Sequence, residues 1–296
     1  MIKLIRLLLI LFVIIVTLVF TLSRILSENN TVQSKNYVIE AWGMPLVIEK
    51  FEKNIYTDEA NVFVIGKQYS SHSKNDNRFS FEYNENEQQL KLYELAYLTP
   101  NKQLLDNHRR TKNIQLLCSG RPAFGIKPLI FFKVNDTIFL QWISDTMQWL
   151  EFRTDGFIRH FTMGYVNDVG YKTGDRMVFL RQLCFDTACY MINDTTFRVL
   201  AGVDRKNVFH DEFKSDAEIA SLYLRVMGVP PEKIKEISFE FHTRNLTLQS
   251  ARACKTYLQS IQPEIKSFNI VTSEMHSRRS NYVYRNVFRN EFDIGV

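Results

Sequence analysis

Apolar and polar positions follow three different patterns along this chain. The first is a nearly unbroken apolar run from Leu7 to Leu22, continued to Leu26 across Ser23 and Arg24. It is long enough to span a bilayer as one helix. Lys3 and Arg6 precede it, which predicts an N-terminus in the cytoplasm and the remaining chain outside. A cleaved signal peptide is the alternative, but the run is long for one and no A-x-A-like site follows. Ser27 to Lys35 then reads as a polar linker.

The second pattern is that of a parallel sheet. Tyr37 to Trp42 is a strand broken by Gly43. Pro45 opens a helix running to about Lys53, with Leu46, Ile48 and Phe51 as its apolar positions. Asn61 to Ile65 is a short buried strand ended by Gly66. The pattern resumes at Phe197 to Ala201, a strand ended by Gly202. Ser215-Asp-Ala-Glu218 is a capping box, followed by Ile219, Leu222, Tyr223 and Val226 at helical spacing. Gly228 stops that helix and Pro230-Pro231 prevents its return. Thr247 to Leu258 is a second helix, Phe268 to Thr272 a central strand, and Ser280 to Phe288 the next helix. Asp293 to Val296 reads as another strand beginning, which implies a fragment or an early end.

Between these halves lies the third pattern. From Arg78 to about Asn193 no convincing amphipathic helix occurs. Short alternating, aromatic-rich runs are separated by Asn, Asp, Gly and Pro: 79–83, 90–95, 114–118, 129–134, 138–143, 149–152, 158–165 and 177–185. Many short strands at such spacing predict an antiparallel sandwich. The expected fold is therefore α/β: a Rossmann-like parallel sheet domain interrupted by an antiparallel β-sandwich, after an N-terminal transmembrane helix. The expected segments are 1–35 (anchor and linker), 36–75 (first α/β part), 76–194 (inserted β-sandwich) and 195–296 (second α/β part).

Length and charge fit this division. The 296 residues correspond to about two domains of roughly 150 each, and 45% apolar content can fill both cores. The net charge of +5 is scattered, so nucleic acid is not implied. Four cysteines do not make a disulfide framework in a chain this long. Cys184 and Cys189 are close in sequence and would face an oxidising compartment, which permits a bridge. Cys118 and Cys254 read as small core residues. No Cys/His spacing suits zinc.

Candidate chemistry gathers near the C-terminus. In an open α/β sheet, ligands bind past the carboxyl ends of strands. His276-Ser277-Arg278-Arg279 falls where the strand ending at Thr272 gives way to a helix. The arginines suit a phosphate or carboxylate, and His276 suits acid or base work. Thr243-Arg244-Asn245-Leu246-Thr247, running into Gln249-Ser250-Ala251, marks another helix start, suited to an anion or simply to capping. No G-x-G-x-x-G or P-loop occurs.

This pair of signatures resembles the YdcF/SanA/ElyC-like family of membrane-associated α/β proteins. Thr247, Ser250 and Ala251 match one family element, and His276 and Arg279 match another. Consecutive Arg278 and Arg279 resemble a subgroup that opens with Glu-Gly-Trp, here Glu40-Ala41-Trp42. Gly66 keeps one glycine of the subgroup's pair, with Lys67 in the second place. The resemblance implies a domain at the cytoplasmic membrane linked to envelope biogenesis. It also implies a nucleotide-like ligand, S-adenosylmethionine among the candidates, held by Glu40, Gly66, Thr247, Ser250, Arg278 and Arg279, with His276 as the catalytic candidate.

The inserted segment carries Val166-Asn167-Asp168 and Gly174-Asp175-Arg176-Met177. Oxygens in such a loop suit calcium, and the same residues are ordinary turn formers. Residues 113–193 resemble calcium-dependent xylan-binding-type carbohydrate modules. Ile114 to Gly120, Pro122 to Gly125, Asn167-Asp168 and Asp175-Arg176 match that family, and Met177 replaces its Asn. The resemblance implies calcium on Asp168 and Asp175, with Asn167 secondary. Trp142, Trp149, Tyr165 and Tyr171 are the candidate sugar-stacking residues, and core or edge packing is the commoner role for any one of them.

The expected function is that of a single-span envelope protein, its soluble domains outside or periplasmic. It binds a polysaccharide or envelope glycan through the β insert and an anionic or nucleotide-like ligand in the α/β cleft. One alternative is an enzyme acting on a phosphorylated or lipid-linked envelope precursor. The other is a structural interaction protein in which both sites are vestigial.

Overall fold

The structure, a computed structural model, describes residues 11–18, 31–41, 45–68, 81–84, 89–92, 97–98, 102–167, 169–171, 174–192, 213–240, 245–289 and 291–296. The chain divides into two compact units, one of Met1–Gln68 with Ser215–Val296 and the other of Tyr69–Lys214. Strands are numbered β1–β16 and helices α1–α5 in chain order.

The first unit is a five-stranded parallel sheet. It comprises β1 (Asn36–Glu40), β2 (Asn61–Lys67), β14 (Ile234–Phe239), β15 (Ser267–Val271) and β16 (Asp293–Gly295), in the order β14-β2-β1-β15-β16. Renumbered within the sheet this is 3-2-1-4-5, so the winding reverses between β1 and β15. Val62 to Ile65 are almost wholly buried because helices cover both faces of such a sheet. On one side lie α1 (Leu46–Asn54) and α3 (Asp216–Val226), tied by a hydrogen bond from the Tyr223 hydroxyl to the buried Glu49. On the other, α4 (Leu246–Ile261) and α5 (Glu274–Phe288) share a core with Val38, Phe63, Ile237, Phe268 and Ile270.

In the second unit every pairing among the described strands is antiparallel. Its elements are β3 (Phe81–Asn84), β4 (Gln89–Leu92), β5 (Tyr97–Leu98), α2 (Lys102–Asn107), β6 (Asn113–Arg121), β7 (Leu129–Val134), β8 (Thr137–Trp142), β9 (Gln148–Arg153), β10 (Phe161–Tyr165), β11 (Val169–Tyr171), β12 (Gly174–Phe185) and β13 (Ala188–Met191). One sheet runs β5-β10-β7-β8. The other runs β3-β4-β12-β6-β9, with β11 and β13 also paired to β12. Alternate residues of the two sheets meet in one core, where Phe132 stacks on Phe152 at 3.9 Å between ring centroids. Cys184 and Cys189 face each other across the β12–β13 hairpin and form a disulfide, while Cys118 and Cys254 are free and buried.

Several expectations shift. β14 carries no strand expectation from the sequence, because Ile-Lys-Glu-Ile-Ser-Phe is an edge strand with alternating burial and follows two prolines. The helix expected from Ser280 starts at Glu274, with Ser273 in extended conformation as its cap. The short α2 and strands β5, β11 and β13 are further additions in a segment expected to hold only the eight runs. Ser215 does cap α3, its hydroxyl accepting from the Glu218 N–H at 3.2 Å. The expected strand at 197–201 lies outside the described residues, as do Trp42 and Asp168. Of the expected membrane helix, residues 11–18 are described, and they are helical and exposed. Among the described residues no helix is long and apolar enough to cross a membrane.

Candidate functional site

The reversal point lies at the carboxyl ends of β1 and β15, which pair as Ile39 with Val271. One residue further on each strand stand Glu40 and Thr272. Side chains alternate along β1, so Glu40 points to the same face as Val38, the face covered by α4 and α5. Ser280, in the second turn of α5, donates to Glu40 Oε2 at 2.7 Å. Glu40 is completely buried, and burial pushes its carboxyl up to about 7 against the lowering influence of Ser280, Thr272, Arg279 and Tyr284. The Thr272 and Tyr284 hydroxyls act from positions that fall short of hydrogen-bond geometry. Glu40 Oε1, Thr272 Oγ1 and Tyr284 OH are each buried without a hydrogen-bond partner. Burial, and then the Glu40 charge, raise the Tyr284 hydroxyl and the Cys254 thiol, so both stay protonated beside the carboxyl. The result is a small enclosed polar cluster whose one titrating member changes charge near neutrality.

Above this cluster two helix N-termini converge. Asn245 caps α4, its Oδ1 accepting from Leu248 N–H at 3.2 Å. The same oxygen accepts from Arg279 Nη2 at 3.1 Å, so a cation bridges the start of α4 to the second turn of α5. The early start of α5 changes how the His276-to-Arg279 string works. It is helix, not turn, and each residue lies about 100° round from the last. His276 and Arg279 therefore share a side, while Arg278 projects a third of a turn away from Arg279. All three are exposed. Thr247 is buried in the first turn of α4, and Ser250 is buried one turn later with its hydroxyl unpartnered.

Gly66 has a packing role. A Cβ there would lie 2.3 Å from the backbone nitrogen of Ala217, so the missing side chain lets the start of α3 rest on β2.

In the antiparallel unit the expected calcium loop is built around a cation of its own. Arg176 is fully buried, donating from Nη1 to the Asn167 carbonyl at 2.7 Å and from Nη2 to the Ala123 carbonyl at 3.2 Å. The Asn167 side chain is also buried. Its Oδ1 accepts from Leu129 N–H at 2.7 Å and its Nδ2 donates to the Lys127 carbonyl at 3.0 Å. Both Asn167 oxygens thus already accept hydrogen bonds, and a guanidinium sits where a calcium ion needs negative charge. Asp175 is half-buried on β12, paired with Gly170, and Asp168 lies outside the described residues. Among the described residues no three His, Cys, Asp or Glu side chains could hold a metal ion. The described residues here do not fit a calcium shell. Tyr165, offered as a stacking residue, is wholly buried in the core. Trp149 is 50% exposed on β9, Trp142 is half-buried on β8, and the Tyr171 side chain lies outside the description.

Sequence reasoning did not single out Ser280, Thr272, Tyr284 and Cys254, nor Asn245 as an anchor for Arg279. The available signal was the spacing Ser280, Tyr284, Phe288, every fourth residue, which marks one helix face turned to the sheet.

No protein-family model matches the sequence, and no curated protein matches it. Two solved structures show a distant likeness. One is a family two carbohydrate esterase from Cellvibrio japonicus, at 10% identity and a TM-score of 0.26 over 74% of this chain and 75% of that one. The other is a Glycosylation Associate Protein (Gap123) complex from Streptococcus agalactiae, at 8% identity and a TM-score of 0.24 over 77% and 76%. At these scores neither likeness carries weight for fold or function.

Proposed function

We propose that this chain is a membrane-anchored protein of the cell envelope whose α/β unit binds an anionic, nucleotide-like ligand at the reversal of strand order. The observation that carries the reading is the meeting of four features at that edge. They are the ends of β1 and β15, the N-termini of α4 and α5, the Arg279–Asn245 bridge and the buried Glu40 beneath. Helix N-termini and a guanidinium attract negative charge, and the crevice at a reversal is where open α/β sheets hold ligands. The match to YdcF-like motifs at Glu40, Thr247, Ser250, His276 and Arg279 points the same way.

The anchor reading rests on the apolar run 7–22, of which residues 11–18 form an exposed, almost wholly apolar helical stretch. The Cys184–Cys189 disulfide is in keeping with placement outside the cytoplasm. Glycan binding by the antiparallel unit is part of the same reading, with Trp149 as its exposed aromatic face.

One observation favours an enzyme acting on a phosphorylated envelope precursor. His276 and Arg279 lie on one side of the exposed first turns of α5 at the reversal, an imidazole able to move a proton beside a guanidinium able to hold a phosphate.

The test is calorimetric titration of the full chain in detergent with pyrophosphate, a nucleotide panel and S-adenosylmethionine. Binding weakened at least tenfold by Arg279→Ala supports the reading, and a folded sample that binds none of them overturns it. Xylan and peptidoglycan fragments, screened with and without calcium and against Trp149→Ala, test the glycan half.

A further inference from the structure

The opposite edge of the parallel sheet, where the strands begin, carries an independent signal. The chain enters the α/β unit there, and it is fastened as it enters. Val32 and Asn269 exchange hydrogen bonds, Val32 N–H to Oδ1 at 2.8 Å and Nδ2–H to the Val32 carbonyl at 3.0 Å. Ser34 Oγ donates to the Ser267 carbonyl at 2.8 Å, and Asn61 N–H donates to the Lys35 carbonyl at 2.8 Å. Asn269 and Ser267 belong to β15, a central strand, so residues 32–35 are held against the middle of the sheet.

A cavity of about 570 Å³ opens beside this strap, and its charged lining is four lysines against one glutamate, Glu264. Lys35 precedes β1, Lys233 and Lys235 flank the start of β14, and Lys266 precedes β15. They converge because parallel strands all begin at the same edge. Lys35 is paired with the exposed Glu59, which Lys233 also influences. Lys235 donates to the Glu232 carbonyl, and Lys266 stands over the Phe292 ring at 5.4 Å. Within the cavity lining positive charge is in excess, and Glu59, Glu232, Glu291 and Asp293 stand around its rim.

Chain length brings this edge close to the apolar run. Six peptide units separate Leu26 from Val32, a reach of at most about 20 Å when fully extended. So short a tether holds the lysines at high effective concentration over any surface in which the run is embedded. Basic residues next to a membrane segment are attracted to anionic headgroups within a Debye length.

We propose that this edge of the α/β unit docks on anionic phospholipid headgroups of the membrane that holds the N-terminal run, through Lys35, Lys233, Lys235 and Lys266. The proposal rests on the anchor reading above. Its consequence is directional: the edge with Glu40 and Arg279 lies at the far ends of the same strands, turned away from the bilayer.

The experiment uses the full chain in nanodiscs of phosphatidylcholine, with and without phosphatidylglycerol. A membrane-impermeant acetylating reagent labels lysines, and mass spectrometry quantifies each one. The expected result is several-fold protection of the four lysines in the anionic discs at low salt, lost at high salt, while the exposed Lys50, which pairs with Glu274 toward the far edge, reacts alike in both. Equal reactivity of the four lysines in both discs, with the chain incorporated, overturns the docking alone. A chain that stays out of the discs overturns the anchor reading and the docking with it.

Discussion

Ser280 and Glu40 lie 240 residues apart and meet through a 2.7 Å hydrogen bond from hydroxyl to carboxyl, wholly out of contact with water. The carboxyl is pushed up to about 7 from an ordinary value of 4.5, so the buried site favours its neutral form. Its contribution to stability is complete below about pH 4.5 and is lost as pH rises through about 7. The loss is on the order of 3 kcal/mol. Glu40→Gln removes the titrating group and flattens that slope, so the variant outlasts the parent on the alkaline side. Urea midpoints of both proteins at about pH 5 and about pH 9 check this; parallel slopes refute it.

Ser280→Ala removes the hydrogen bond that lowers the Glu40 carboxyl most. The alkaline loss of stability then moves to higher pH, and the neutral form loses about 1 kcal/mol. Denaturation across a pH series reads both effects. An unmoved midpoint of the pH dependence contradicts the assignment.

Asn245→Ala deletes a helix cap and the anchor of Arg279 in one step. The cap alone costs about 1 kcal/mol. The variant is expected to unfold slightly earlier and to bind pyrophosphate more weakly, because Arg279 is no longer held across the two helix starts. Asn245→Asp restores the cap and is expected to recover the stability.

Gly66→Ala places a methyl group into the start of α3, 2.3 Å from the Ala217 nitrogen. Backbone cannot yield as a side-chain tip can, so a loss of about 1–3 kcal/mol is expected. Gly125→Ala has no neighbour to strike and serves as the comparison, its cost coming only from a backbone φ of +78°. Thermal denaturation of the pair separates crowding from strain.

Arg176→Met keeps the length of the side chain and removes the guanidinium donor from the Asn167 and Ala123 carbonyls, the latter keeping the Ile126 N–H. Loss of two charge-assisted hydrogen bonds in the interior costs about 3 kcal/mol or more. Hydrogen exchange is expected to rise first in the 123–128 and 166–167 segments, which the guanidinium clips together. Uniform protection with unchanged stability counts against that role.

Much of the architecture is legible in sequence because burial on two faces leaves an unmistakable mark. Val62 to Ile65 must be apolar whichever way they point, and Ser215 with Glu218 announces a helix whatever follows. β14 escaped because an edge strand buries one face only, so Lys235 and Glu236 dilute the signal. The start of α5 escaped for a different reason: the residues its first turns bury are polar, Ser277, Ser280 and Asn281, so hydrophobic spacing marks the helix only from Val283. The candidate site shows the same limit. Glu40, His276 and Arg279 are visible as motif residues. That Arg279 reaches Asn245 while Arg278 turns away follows only from the helix phase, and Ser280 and Tyr284 acquire meaning only beside a strand more than two hundred residues earlier.

The sheet order has a consequence for how the protein is made. β2 lies between β1 and β14, and β1 between β2 and β15, so the first two strands emerge from the ribosome long before either outer neighbour. At a synthesis rate of roughly 5–20 residues per second, β2 waits on the order of ten seconds or more with an open hydrogen-bonding edge. The described strands of the intervening unit all pair within their own segment, so it can fold in that interval. The nascent chain thus carries a completed domain hanging from an incomplete one, and the interval between them is the window in which a chaperone has most to do.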